Sequence, residues 1–288
     1  MNKFEQKFPL TPQAQQITIR TEICSMAAAK RVAAMLDLNP DGIIEGTPLP
    51  RGWQFILMGA DTRRSQLRAD GFPGLGVVMQ DFGLPRLLLG SRSVLYMSDI
   101  LIGDSVTRTS SIQSITQKTS KMGPMAIAVI QHELRISGET SPALIETQTY
   151  LLLPATNGAT KFPDTEISTD RNGYRTKTVV PDETLLFQYS ALGFNSHKIH
   201  IDRAHARNVE GYPDLVVNGG LATLLLTDFL RQEIGIKPAS IQVRHAAPLF
   251  CGRPITMVAN KKDSKWLLQA FDNRSALAVD MEVETNEL

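Results

Sequence analysis

Ser98-Asp99-Ile100-Leu101-Ile102-Gly103-Asp104-Ser105-Val106-Thr107 can be laid on Ala247-Pro248-Leu249-Phe250-Cys251-Gly252-Arg253-Pro254-Ile255-Thr256 around a shared glycine. Each stretch sits among β-branched runs separated by turn residues. In the first half these are Ser93 to Ile100, Ser105 to Ile115, Ala126 to Ile136 and Ala143 to Leu153, broken at Gly103-Asp104, Met122-Gly123-Pro124 and Gly138-Glu139. In the second they are Ser240 to Ala246, Pro254 to Asn260, Trp266 to Phe271 and Ala276 to Glu284. An internal duplication of one curved antiparallel sheet explains both sets. Two such sheets, each wrapped on a buried helix and paired edge to edge, would form one extended sheet and hide two edges. The expected class is α+β.

Helical signals fall between the β runs. Gly220 to Gln232 carries Leu221, Leu224, Leu225 and Leu226 and is apolar on most sides, so it should lie buried and central. Asp182 is placed to cap a helix to Leu192, with Gly193 as its stop, and Asp202 to cap another from Arg203 to Val209. Glu22 to Leu38 has helical spacing up to Asn39-Pro40. Trp53 to Met58 is a short apolar segment, and Asp70 to Gly90 predicts an irregular covering loop or a shortened helix around Leu84 to Leu89. Pro154 to Pro181 lacks periodicity and reads as the connection between halves. The expected division is 1–160, a linker at 161–181, and 182–288.

With 288 residues, 42 % apolar and 20 % charged, the chain can bury a good core in one large domain or two ordinary ones. A net charge of +1 provides no field to attract nucleic acid or a membrane surface. The stretch Leu221 to Leu226 is too short to span a bilayer. The opening residues Met1-Asn2-Lys3-Phe4-Glu5 lack an apolar signal core, so a cytoplasmic location is expected, with Cys24 and Cys251 as free thiols.

Candidate chemistry gathers in the second half. Phe194-Asn195-Ser196-His197-Lys198-Ile199-His200-Ile201-Asp202 is a polar, histidine-bearing turn, and Val217-Asn218-Gly219-Gly220-Leu221 opens the apolar helix. Together they can set a proton-transferring imidazole beside free backbone N–H groups, as chemistry on an acyl thioester requires. Each feature also has a structural reading: a histidine bonded within its turn, an asparagine holding its own backbone, glycines chosen for close packing. Tyr189, Tyr212 and Phe194 suit a core or tunnel wall. His197, His200 and His205 fit no standard metal spacing, and no cysteine or paired carboxylate completes a shell, so no metal is expected.

Phe187 to Asp202, followed by Glu210-Gly211-Tyr212-Pro213-Asp214-Leu215-Val216-Val217, resembles the MaoC-like double hot-dog hydratases and dehydratases. Within them it is most similar to the type 2 hydroxyacyl-thioester dehydratases and the mesaconyl- and itaconyl-coenzyme A hydratases. Leu49-Pro50-Arg51-Gly52-Trp53, Asp70-Gly71-Phe72-Pro73, Leu84-Pro85-Arg86 and Ile102-Gly103-Asp104 extend the likeness through the first half. The resemblance implies two hot-dog folds in one chain, an acyl tunnel between them and one active site supplied mainly by the second half. The implied reaction adds water to a 2-enoyl thioester or removes it from a 3-hydroxyacyl thioester, with no cofactor.

On that resemblance His200 is the proton-transfer group and the Gly219 and Gly220 amides hold the thioester carbonyl. Asn195 stands where the single hot-dog hydratases carry aspartate; an amide can orient water but cannot ionise. Asn218 replaces the family's usual histidine before the glycine. Asn218, His197, Phe194 and Tyr212 are expected against substrate, and Arg244 and Arg253 near the coenzyme A phosphates. The expected partner is a thioester of coenzyme A or an acyl-carrier protein, with neither nucleic acid nor membrane, and the chain is expected to form a homo-oligomer. Two further readings stay open on the same fold, a thioesterase and a non-catalytic acyl-thioester binding module.

Overall fold

A computed structural model describes residues 6–7, 17–120, 123–156 and 174–285. Of the expected linker, residues 161–173 lie outside the described residues, and Arg175–Val179 forms a strand. In chain order the elements are β1 (Gln6–Lys7), β2 (Thr18–Ile23), α1 (Met26–Met35), β3 (Arg86–Tyr96), β4 (Ser105–Ser120), β5 (Gly123–Ile136), β6 (Leu144–Leu153) and β7 (Arg175–Val179). Then follow α2 (Glu183–Leu192), α3 (Lys198–Ile201), α4 (Arg203–Asn208), α5 (Gly219–Phe229), β8 (Ser240–His245), β9 (Ile255–Lys262), β10 (Lys265–Phe271) and β11 (Leu277–Glu284).

The strands form one antiparallel 11-stranded sheet in the order β1-β4-β5-β6-β3-β8-β11-β10-β9-β7, with β2 also paired to β4. The seam between copies is β3 on β8, from Ser91 opposite Arg244 to Leu95 opposite Ser240. Edge-to-edge pairing thus removes two strand edges.

The duplication extends to individual backbone hydrogen bonds. Leu49 N–H donates to Ile100 at 2.8 Å, as Val217 N–H does to Leu249 at 2.8 Å. Ile102 donates to Thr47 and Cys251 to Leu215, both at 2.9 Å, while Gly103 donates to Cys24 at 2.8 Å and Gly252 to Pro181 at 2.7 Å. Pro48 bridges Leu101 as Val216 bridges Phe250. Ser25 caps α1 and Asp182 caps α2 through side-chain oxygens, and Asp37 and Phe194 repeat a positive φ just beyond these helices. Counting from these shared contacts, Gly52 corresponds to Gly220, Leu38 to Asn195 and Ile43 to His200.

The copies differ where the central helix belongs. The second sheet wraps α5, in which Leu221 through Phe229 are all buried. The first has only the five-residue 3₁₀ turn Trp53–Leu57, entered through Gly52 at φ 98°. A β-carbon on Gly52 would overlap the Thr227 hydroxyl and lie 3.0 Å from Thr227 Cβ, so glycine lets this turn rest against α5. The face left bare is covered by the irregular segment bearing Phe72, Leu75, Val77, Met79, Phe82 and Leu84, packed on Leu87, Ile112, Ile115 and Ile130. The covering loop is therefore present, but its end is strand rather than helix, because β3 begins at Arg86 and pairs with β6 from there.

At the other end of the first half, Glu22 and Ile23 belong to β2, whose residues alternate in burial, and the helix starts only after the Ser25 cap. Among the described residues no helix is long and apolar enough to cross a membrane. Two fused, duplicated antiparallel sheets, the second wrapped on α5 and the first on the short Trp53–Leu57 turn in its place, constitute a double hot-dog.

Candidate active site

The turn after α2 is built by local hydrogen bonds. Gly193 ends the helix, Phe194 takes φ 47°, and Asn195 Oδ1 accepts from the His197 backbone N–H at 3.1 Å. The short α3 then turns Ile199 and His200 inward. His200 Nδ1 lies 2.7 Å from the carbonyl oxygen of Val216. A carbonyl can only accept, so Nδ1 carries the proton and Nε2 keeps its lone pair. Burial first, and the neighbouring His197 second, lower the His200 pKa to about 3 against the opposing Val216 carbonyl. The ring is neutral at pH 7.

Val216 also ties this turn to the next element. Two residues on, Asn218 is the N-cap position of α5 but makes no side-chain capping bond. Its Nδ2 reaches Ser190 Oγ at 3.4 Å, while its Oδ1 is buried without a hydrogen-bond partner. The first amides of α5 have no intrahelical acceptor, and the helix dipole adds partial positive charge there. Neighbours press on both glycines. A β-carbon at Gly220 would lie 3.1 Å from Tyr189 Cζ with the hydroxyl closer still, and one at Gly219 would lie 3.2 Å from Leu89 Cδ2 and 3.3 Å from His245 Cε1.

These parts face one cleft of about 300 Å³, lined by Asn195, His197, His200, Tyr212, Asn218, Gly219 and Gly220 together with Leu87, Leu89 and Tyr150. Phe194 is outside it and 62 % exposed, so it does not line the substrate space as expected. The left-handed turn that aims Asn195 inward sends Phe194 out. Arg244 and Arg253 are also off the cleft wall. Arg244 stands 3.6 Å from Asp280 on the outer sheet face, and Arg253 lies over the Phe250 ring.

His197 is held from the first half. Its Nε2 is 3.5 Å from Asp70 Oδ2, and its ring meets His200 edge-on at 5.5 Å. Ser196 Oγ donates to the Gly71 carbonyl at 2.6 Å, and Lys198 N–H to that of Asp70 at 2.8 Å. The Asp70-Gly71-Phe72 motif is thus the dock for the histidine turn. Burial, then Arg68 and His205, lowers the His197 pKa to about 3.

Sequence reading missed the part of the wall formed by Arg92, Tyr150 and His245, while Tyr189, read as core or tunnel wall, lines the cleft beside them. Arg92 Nε stands 3.0 Å from Glu146 Oε1. Glu146 in turn accepts from Gln54 at 3.1 Å and Gln148 at 2.5 Å. Burial opposes ionisation of Glu146, yet Arg92 and the two amides hold its pKa below the ordinary value. His245 Nε2 is buried without a partner, and burial followed by Arg92 lowers its pKa to about 3. The only signal was the alternation Glu146-Thr147-Gln148-Thr149-Tyr150, whose period of two marks a strand with one polar-aromatic face but not its direction.

The chain is thus a double hot-dog whose cleft holds a neutral, oriented imidazole and the start of a buried helix. Residues 52–251 match the family model for hydroxyacyl-thioester dehydratase type 2, and the chain belongs to that family. It is 31 % identical over 271 residues to the mesaconyl-C(4)-CoA hydratase of Chloroflexus aurantiacus, covering 92 % of this chain and 94 % of that one. Its fold is also that of a MaoC-like dehydratase from Phytophthora capsici, with TM-score 0.69 at 16 % identity over 97 % of this chain and 98 % of the other. A double hotdog protein of Mycobacterium tuberculosis superposes with TM-score 0.55 at 12 % identity over 93 % and 94 %. The chain is a hydro-lyase that hydrates or dehydrates acyl thioesters.

Proposed function

We propose that the substrate is a 2-enoyl thioester carried on coenzyme A, and that His200 alone moves the proton. In the hydration direction water adds through oxygen to C3, and its proton passes to His200 Nε2. The π electrons shift to the thioester oxygen, which becomes an enolate held by the Gly219 and Gly220 amides. The imidazolium then returns the proton to C2 on the same face. Asn195, held in its turn by its own backbone contact, orients water without ionising. Asn218, with an unpartnered oxygen at the wall, contacts either the water or the acyl group.

The observation that carries this reading is the 2.7 Å contact of His200 Nδ1 with the Val216 carbonyl, which leaves Nε2 as a lone-pair base in the same cleft as the helix start. The curated hydratase relative supports the coenzyme A carrier. Two buried free cysteines, Cys24 and Cys251, suit the reducing cytoplasm.

The test is a panel of 2-enoyl-coenzyme A thioesters followed by mass spectrometry. Gain of one water with the thioester intact is expected; release of free coenzyme A without hydration would replace this reading with hydrolysis.

A further inference from the structure

The cleft holds an imidazole that proton transfer by His200 does not use. His245 is the last residue of β8, paired with Val279, and it lines the cleft together with the residues that open α5. The segment it leads into, Ala246 to Leu249, lines the same cleft, and the Leu249 carbonyl accepts from the Val217 N–H at 2.8 Å. That contact fixes the exit of β8 against the start of the helix.

Glycine makes the approach possible. A β-carbon at Gly219 would lie 3.3 Å from His245 Cε1 and 3.5 Å from Nδ1, so the ring rests against bare backbone where a side chain would crowd it. Asn218 makes no side-chain capping bond there, which leaves the first α5 amides free as donors. Burial first, and the Arg92 charge second, keep the ring neutral at pH 7. A neutral imidazole has one N–H and one lone pair. Nε2 is buried without a partner, and a proton there would be a stranded donor, which folded proteins rarely tolerate. The proton therefore belongs on Nδ1, the nitrogen that adjoins Gly219.

Resting on the placement of the thioester carbonyl proposed above, we infer that His245 is a catalytic residue whose Nδ1–H donates to the thioester oxygen alongside the Gly219 and Gly220 amides. As water adds to C3 that oxygen gains charge, and the hydrogen bond strengthens without giving up its proton. The two imidazoles then divide the work. His200 carries the proton between water and C2, and His245 holds the charge that appears meanwhile on oxygen.

Two readouts test this, one of them independent of turnover. Butyryl-coenzyme A with an isotope-labelled thioester carbonyl is saturated and unreactive, and infrared difference spectra report how strongly its oxygen is held. In the unaltered full-length chain the carbonyl band should move to lower frequency on binding. In His245→Phe that shift should shrink, and kcat for 2-enoyl hydration should fall about 10²- to 10³-fold with KM changed by about threefold or less. His245→Asn puts an amide N–H near the place of Nδ1 and should restore the shift and at least about tenfold of the rate. Should phenylalanine prove too large to fold over Gly219, His245→Leu takes its place. A role in packing alone would leave the band unmoved by these substitutions. An unshifted band in the unaltered complex, or the same band in a folded His245→Phe or His245→Leu, overturns the inference. A His245-dependent shift with no hydration of any enoyl thioester would instead remove the reaction assignment alone.

Discussion

The hydroxyl of Tyr189 occupies the space that a β-carbon on Gly220 would need, with Cζ of that ring 3.1 Å from the same point. Tyr189 also stacks on Phe55 from the first half, centroid to centroid at 4.6 Å, so it cannot simply swing aside. Gly220→Ala should therefore lose about 1–3 kcal/mol of stability by overpacking and displace the first turn of α5. Tyr189→Phe in the same chain should recover at least about 1 kcal/mol of that loss, a coupling seen only between touching residues. Urea unfolding of both single variants and the double closes the cycle; additive effects would mean that the helix start has room the structure denies it.

Acid should destabilise the protein well above the carboxylate range. His132, His197, His200 and His245 all have lowered pKa values, about 4 for the first and about 3 for the others, with burial as the leading cause. Unfolded imidazoles titrate near 6.5, so between that value and the folded ones the unfolded chain binds more protons. The neutral histidines' contribution is complete above pH 6.5 and is lost as pH falls, by up to about 1.4 kcal/mol per group per pH unit. The melting temperature should stay level from pH 8 to about 7 and fall steeply between about 6.5 and 5. A flat profile to pH 5 would contradict it.

Arg86, the first residue of β3, ties the first half to the far side of the site. Its Nε donates to Glu210 Oε2 at 2.7 Å and its Nη2 to the Tyr212 hydroxyl at 3.2 Å, and both members of the ion pair are about nine-tenths shielded. Arg86→Ala leaves Glu210 charged and unpaired and should cost about 3–5 kcal/mol. Adding Glu210→Gln removes the stranded charge and should restore at least about 1 kcal/mol. Denaturation midpoints check both values, and no recovery in the double variant would show that packing on Tyr212, not charge, sets the cost.

The sequence announces the parts of this molecule that obey local rules. Asp182 and Asp202 are caps because each has a free carboxylate oxygen placed for the N–H three residues on, at 2.8 and 3.0 Å. The apolar α5 could only be central, and the Gly103 and Gly252 turns marked the repeat. Leu84 to Leu89 misled because a short leucine run has no period to separate strand from helix; pairing with β6, a partner about sixty residues away, decided it. Glu22 and Ile23 went to β2 for the same reason, through β4. Within the site, the histidine turn and glycine pair were legible because they form contiguous motifs. Arg92, Tyr150 and His245 were not, since they stand on three separate strands and meet only when β3, β6 and β8 lie side by side.

The proposed reaction turns on His200 Nε2 as the base. Steady-state hydration of a 2-enoyl-coenzyme A should be measured for the unaltered chain and for His200→Ala, with folding of the variant confirmed by its melting curve. A fall in kcat of about 10²- to 10⁴-fold is expected for removal of the proton-transferring group. A folded His200→Ala protein within tenfold of the original rate would contradict the assignment.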